Sequence, residues 1–338
     1  MEREAMHLVD ERYDEAFYAS RTFDFYFGAA RLGVLDIETT GLDARRNRIV
    51  LGGLLTPCGG GVRVRQFFAE SGREEDALLA LYAEALAESD VLFSYNGDRF
   101  DIPFLNARLA RRGRPPALGE RLSIDMYRVL RKHSTLGDAL PNLKQKTVEE
   151  YLGLGRERTD RISGADSVRL YYEYAATGAP DLLRRILLHN SDDLLQLARV
   201  LRVFEELDPH RVAAHTGFPV ECGEAFAFVT DISLGRHALE FSGRYTALPF
   251  DFVRFDEPWQ IAFRRETACF NVRVPCLCEG DLVFADLRAL GADDGDLAAH
   301  PACESGYLAL KRGRLVDYAP VNLLVKRITQ LALARFAR

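Results

Sequence analysis

Short apolar runs punctuated by glycine follow residue 30. Residues 32–37, 48–55 and 62–68 read as three strands, the last two joined by a tight turn at Gly59-Gly60-Gly61. Residues 74–88 switch to helical spacing, with Leu78, Leu81, Tyr82, Ala85 and Leu86 on one side. Val91–Tyr95 returns to a continuous apolar run, the mark of a buried strand. The helix before it is a crossover that sets this strand parallel to the first. Leu122–Ile124 reads as a fifth strand. Residues 143–152 predict a short helix ended by Gly153 and Gly155, and Leu170-Tyr171-Tyr172-Glu173-Tyr174 an aromatic helical run. Pro180-Asp181 starts a long helix reaching about Leu207, with proline at its first position and an acid in its first turn.

Asp208-Pro209 and Thr216-Gly217-Phe218-Pro219 mark a boundary. Beyond it the texture becomes short alternating stretches, which predict an antiparallel β domain, a barrel or a curled sheet, closed by a helix over residues 322–336. The expected organisation is an N-terminal arm or edge strand over residues 1–30, an α/β domain over 31–210 and a β-rich accessory domain with a C-terminal helix over 217–338. The α/β domain should hold a mixed five-stranded sheet flanked by helices.

The first strand carries the first candidate chemistry. In Val34-Leu35-Asp36-Ile37-Glu38-Thr39-Thr40-Gly41-Leu42 two carboxylates stand two residues apart, so both project from one face of a strand. Two like charges on a buried face are costly unless a cation neutralises them. Oxygen ligands suit Mg²⁺ or Mn²⁺. For an isolated pair, an exposed edge strand with solvated charges is the plainer reading.

Two later stretches change that balance. Asn96-Gly97-Asp98-Arg99-Phe100-Asp101 follows the buried strand, and Asp101 opens the next helix. His189-Asn190-Ser191-Asp192-Asp193 lies on the long helix, where His189 and Asp193, four apart, share a face and Asp192 points about 100° away. The order D-x-E, N-x-x-x-F-D, H-x-x-x-D resembles the DEDD superfamily of 3′→5′ exonucleases on the ribonuclease H-like fold, closest to its bacterial branch with H-N-x-x-D as third motif. The resemblance spans roughly residues 30–205. Each motif alone is weak; the three together, each on the expected element, are specific.

The resemblance implies a phosphodiester hydrolase using two divalent cations about 4 Å apart, which hold the attacking and leaving oxygens in line. Asp36 would bridge the ions, Glu38 and Asp193 would complete the first site, and Asp101 would serve the second. His189 would act as general base on the attacking water. One departure bears on that role. Relatives with a catalytic histidine usually carry it one residue further from the aspartate, and the gap seen here usually goes with tyrosine. Asn96 would help hold the terminal nucleotide and Phe100 would pack beneath the aspartate, with Thr39, Thr40 and Leu42 as further contacts. A turn or core role is the alternative for each of these five.

Composition adds context. The 338 residues carry a net charge of −6, which does not advertise a nucleic-acid partner. Charge distribution matters more than the sum. Arg99, Arg108, Arg111, Arg112, Arg114, Arg121, Arg128, Arg131, Lys132, Lys144 and Lys146 crowd one segment against few acids, reading as a solvated helix face or a phosphate-tracking groove. The aromatic run at 170–174 would stack bases or pack against neighbouring helices. Cys58, Cys222, Cys269, Cys276, Cys278 and Cys303 show no disulfide framework and lack paired zinc spacing, so reduced thiols are expected. The acidic start and the lack of a long apolar run suggest the cytoplasm and no membrane.

The expected function is therefore a metal-dependent 3′→5′ exonuclease acting on single-stranded DNA or RNA. The alternatives are a non-catalytic nucleic-acid-binding scaffold on the same fold, or a ribonuclease H-like endonuclease. The C-terminal domain would bind substrate or a protein partner.

Overall fold

The computed structural model describes residues 6–119, 121–155, 162, 164–255 and 258–333. The rest of the expected arm (residues 1–5) and the end of the expected terminal helix (residues 334–336) lie outside them. The chain divides into two compact units: residues 1–20 with 30–207, and residues 21–29 with 208–338.

In the first unit, β1 (His7–Tyr13), β2 (Leu32–Thr39), β3 (Ile49–Cys58), β4 (Gly61–Phe68), β5 (Val91–Ser94) and β6 (Leu122–Asp125) form one sheet in the order β1-β4-β3-β2-β5-β6. The β2-β3-β4 meander is antiparallel, whereas β5 runs parallel to β2 and β6 parallel to β5. The five expected strands are joined by a sixth, because β1 pairs along the open edge of β4 from His7–Phe68 to Tyr13–Val62. Residues Arg21–Phe27 form a helix, α1, whose contacts fall with the second unit rather than with an arm.

The sheet is covered by helices on both faces. On one face Leu35, Ile37, Leu54 and Leu92 pack with Leu78, Leu79, Tyr82 and Leu86 of α2 (Glu75–Leu86) and Phe104 and Leu105 of α3 (Asp101–Ala110). After β6 come α4 (Met126–His133), α5 (Leu136–Ala139) and α6 (Gln145–Tyr151). On the other face Leu51 and Phe68 meet α7 (Gly164–Thr177) and α8 (Pro180–Val200) through Leu170, Tyr171, Tyr174 and Ile186. The aromatic run is thus mainly core. Tyr171 and Tyr174 lie edge-on to Phe68, with ring centroids 6.0 and 5.5 Å away, and Tyr172 faces solvent.

The long helix is shorter than its pattern predicts. It ends at Val200, and residues Leu201–Glu205 tighten into a 3₁₀ turn, a common way for a helix terminus to satisfy its last carbonyls.

The second unit opens after α1 with α9 (Pro209–Thr216), capped by the Asp208 carboxylate, which accepts from Arg211 N–H at 3.0 Å. The expected β domain is two antiparallel sheets. The larger joins β7 (Phe218–Cys222), β8 (Ala225–Leu234), β9 (Ala238–Arg244), β10 (Phe252–Arg254), β11 (Gln260–Arg264) and β12 (Cys269–Pro275) in the order β10-β11-β12-β9-β8-β7. The smaller is built on β13 (Leu277–Glu279), β14 (Leu282–Asp286) and β16 (Tyr307–Arg312), with the two-residue strands β15 (Cys303–Glu304) and β17 (Leu315–Val316) beside β16. A short helix, α10 (Gly295–Ala298), precedes β15, and α11 (Tyr318–Leu333) closes the described chain. All six cysteines are free thiols. Among the described residues no helix is long and apolar enough to cross a membrane.

Candidate active site

The strand β2 positions the first two carboxylates. Its odd residues Leu35 and Ile37 fill the α2–α3 core, so its even residues Asp36 and Glu38 project to the face that α8 covers. Asp36 sits opposite Gly53, and Glu38 opposite Leu51.

Asp101 arrives from the neighbouring loop. Pairing of β2 with β5 ends at Val34–Phe93, which leaves the Ile37 N–H beyond the end of β5. Asp101, the first residue of α3, takes that donor: its Oδ1 accepts from Ile37 N–H at 3.1 Å. One hydrogen bond thus completes the strand and fixes the carboxylate beside Asp36 and Glu38.

The helix α8 supplies the rest. His189 Nε2 lies 3.4 Å from Glu38 Oε1 and 3.7 Å from Asp193 Oδ2. Ligand-type atoms of Glu38, His189 and Asp193 lie within 4.8 Å of one another. Asp192 is buried outside the cleft, in line with its angle round the helix.

The cleft that these groups line has a volume of about 770 Å³. Asp36, Glu38, Asp101, His189 and Asp193 all border it, together with Thr39, Leu42, Asn96 and Phe100. Thr40 does not: its hydroxyl accepts from Arg48 N–H at 3.0 Å and supports the turn. Leu42 stands 85 % exposed at the mouth. Phe100 packs on Phe104 and the core beneath Asp101, with ring centroids 5.6 Å apart.

The electrostatics suit a cation. Burial pushes the Asp36 carboxyl well above the usual carboxylate range, and the charges of Asp101, Asp193 and Glu38 push it further, against a hydrogen bond from Asn190. Burial raises Asp101 to about 7, despite the Ile37 N–H that favours its ionised form. Removing water from adjacent carboxylates raises their proton affinity, and a divalent ion removes that penalty. A donor set dominated by carboxylate oxygens fits Mg²⁺ or Mn²⁺.

Sequence reasoning named Asn96, Lys144 and Lys146 but passed over the groups that support them, Asp125, Tyr95 and Gln145. Asn96 adopts a left-handed conformation, φ 62°, which Asn tolerates better than most residues. Its N–H donates to Asp125 Oδ1 at 2.8 Å, and the same oxygen caps α4 through Tyr127 N–H at 3.0 Å. The pattern Asp125, then Met126, Val129 and Leu130 at helical spacing, was the available signal for that cap and helix. Lys144 and Lys146 also border the cleft. Their segment is held by Tyr95, whose hydroxyl donates to the Leu143 carbonyl at 2.7 Å, and by Gln145, whose amide donates to the Asp193 carbonyl at 3.0 Å.

Several arginines of the basic segment have other partners. Arg108 is buried in an ion pair with Glu75 and donates to the Ala44 carbonyl at 3.1 Å. Arg111 donates to the Arg45 carbonyl at 2.8 Å, while Arg112 pairs with Asp76 and Arg128 with Asp98. These arginines secure loops and helices, and among the described residues the lysine and arginine side chains lining the cleft are Lys144 and Lys146, the latter also donating to the Ile162 carbonyl at 2.6 Å.

The sequence model of the RNase H superfamily matches residues 34–204, just over half of the chain. The chain belongs to the RNase H superfamily. The resemblance read from the three motifs holds at that level, and the mixed sheet with its flanking helices is the RNase H-like domain. A related protein is the uncharacterized protein YprB of Bacillus subtilis (strain 168), 31 % identical over 199 residues, which are 57 % of this chain and 45 % of that protein. The chain therefore spans less than half the length of that relative.

Partial likenesses to solved structures include the family B DNA polymerase of the hyperthermophilic archaeon Pyrobaculum calidifontis, with a TM-score of 0.43, 22 % identity, and 55 % of this chain matching 26 % of that one. Another is exonuclease I, with a TM-score of 0.38, 10 % identity, and 63 % of this chain matching 55 % of that one. Superfamily membership together with the carboxylate cluster of the RNase H-like domain supports nuclease-type chemistry on nucleic acid.

Proposed function

We propose that the RNase H-like domain is a metal-dependent 3′→5′ exonuclease of single-stranded DNA or RNA. The observation that carries this reading is the convergence of Asp36, Glu38, Asp101, Asp193 and His189, from β2, α3 and α8, on one cleft. Asp36, Glu38, Asp101 and Asp193 would hold two divalent cations, which when bound acidify water and neutralise charge on the phosphate. His189 accepts the proton of the attacking water at Nε2, and its imidazole suits that task near neutral pH. The water oxygen forms a bond to phosphorus, the bond from phosphorus to the 3′ oxygen of the preceding nucleotide breaks, and a nucleoside 5′-monophosphate leaves. Asn96, Thr39 and Leu42 hold the terminal nucleotide, and Phe100 supports Asp101 from below.

A cleft of about 770 Å³ suits a nucleotide or two, which supports a single strand as the substrate. The experiment that tests the reading compares single strands with a free and a chemically blocked 3′ end. Cleavage of the free strand alone supports the exonuclease. Equal cleavage of both identifies an endonuclease, and binding without cleavage identifies a scaffold.

A further inference from the structure

Across β2, β3 and β4 one row of residues lies in register: Asp36 opposite Gly53, and Gly53 opposite Gln66. Cross-strand partners project from the same face of a sheet, and the middle member of this row has no side chain. A Cβ on Gly53 would meet Asn190 Oδ1 at 2.3 Å. Asn190, fully buried on α8, therefore fills the space that the missing side chain leaves. From there its amide reaches both neighbours. Nδ2 donates to Asp36 Oδ2 at 2.8 Å, and Oδ1 accepts from Gln66 Nε2 at 2.9 Å.

Chemistry fixes the direction of this relay. The Leu187 carbonyl can only accept, so the Gln66 group 2.8 Å from it is the NH₂. The second N–H of that group goes to Asn190, which must then present oxygen to Gln66 and nitrogen to Asp36. Neither amide can flip without setting two acceptors or two donors against each other in a buried site, at roughly 1–3 kcal/mol for each unmet group. A neutral donor is also the right type for this position. A lysine or arginine here would neutralise Asp36 and compete with a cation, whereas an amide occupies one lone pair and leaves the charge.

We propose that Asn190 is a positioning residue for the cation site: by donating to Asp36 Oδ2 it holds that carboxylate with Oδ1 left for the metal, and Gln66 and Gly53 hold Asn190 in turn. This rests on the metal-dependent reading of the cleft. It assigns a role to the second residue of the H-N-x-x-D motif and gives a reason for glycine at position 53. Partners of this kind typically govern metal affinity by about 10–100-fold.

The test is Mn²⁺ binding by the full chain without nucleic acid, read from the electron paramagnetic resonance signal of free Mn²⁺. Asn190→Ala removes the donor. Gly53→Ala keeps every polar group but displaces Asn190, and it decides the matter if Asn190→Ala does not fold. Each is expected to bind Mn²⁺ about 10–100-fold more weakly than wild type. Leu79→Ala, in the core on the opposite face of the sheet, is the stability control: it lowers the melting temperature and leaves the affinity unchanged. Wild-type affinity in folded Asn190→Ala and Gly53→Ala overturns the positioning role alone. No Mn²⁺ binding by wild type overturns the metal-dependent reading, and the positioning role with it.

Discussion

The imidazole of His189 stands closer to Glu38 than to Asp193, its Nε2 at 3.4 Å from the Glu38 carboxylate and 3.7 Å from that of Asp193. The sequence pairs His189 with Asp193 through helical spacing, and the fold adds Glu38 from the strand opposite.

That arrangement separates a base from a ligand experimentally. His189→Ala should lower the single-turnover cleavage rate by about 10²–10⁴-fold and remove the acidic limb of its pH profile. Mn²⁺ affinity should stay within a few-fold of wild type. A large loss of Mn²⁺ affinity would instead make His189 a ligand.

Charge repulsion in the metal-free site should be visible as instability. Asp36→Asn removes one of several crowded carboxylates and keeps an acceptor in place. In chelator it should melt at a higher temperature than wild type. Added Mn²⁺ should raise the wild-type melting temperature and leave that of the variant nearly unchanged, because only wild type gains a bound ion. A thermal melt with and without Mn²⁺ reads both effects.

The pH dependence follows from Asp101. Its folded-state value of about 7 lies above the ordinary 3.8, so between those values the folded chain keeps a proton that the unfolded chain has lost. The metal-free protein therefore loses stability as pH rises through that window, by about 4 kcal/mol at most. Asp101→Asn, which still accepts from Ile37 N–H, should gain on wild type between pH 5 and pH 7.5 in denaturant titrations. Saturating Mn²⁺ should remove the difference in slope.

Lys326 gives a matching test in the second unit. Burial lowers its ammonium to about 8. Its nitrogen donates to the Phe25 carbonyl and lies 4.1 Å from the centre of the Phe25 ring. Between pH 8 and 10.5 the unfolded chain holds a proton that the folded chain has released, so stability from this group rises with pH across that interval. Measured against Lys326→Met, wild type should gain up to about 3 kcal/mol between pH 7.5 and pH 10.5.

The site was legible where chemistry and periodicity coincide. Asp36 and Glu38 could be placed on one strand face because their spacing matches the pleat and apolar Leu35 and Ile37 alternate with them. His189 and Asp193 could be placed on one helix face for the same kind of reason. What depends on register between distant strands was not legible. Gly53 and Gln66 carry no local signal, and the motif that contains Asn190 does not announce its partners, since their meeting depends on β2, β3 and β4 aligning within one residue. Asn96 adopts a positive φ in a turn held by its hydrogen bond to Asp125 and by the Arg99 and Phe100 N–H groups that donate to its carbonyl, none of which is visible locally. The sixth strand was missed as a certainty because β1 is largely polar, an edge strand with one face in water. The basic segment misled for a related reason: Arg108 and Glu75 are 33 positions apart, and nothing local announces that the arginine's charge is already paired.

The most direct measurement is degradation of 5′-labelled single-stranded DNA and RNA by the full chain with Mg²⁺ or Mn²⁺, beside Asp36→Ala and Asp193→Ala. The predicted result is a ladder shortened from the 3′ end that needs the metal and is lost in both variants. Intact strands after incubation with folded wild type that binds Mn²⁺ and nucleic acid would contradict it.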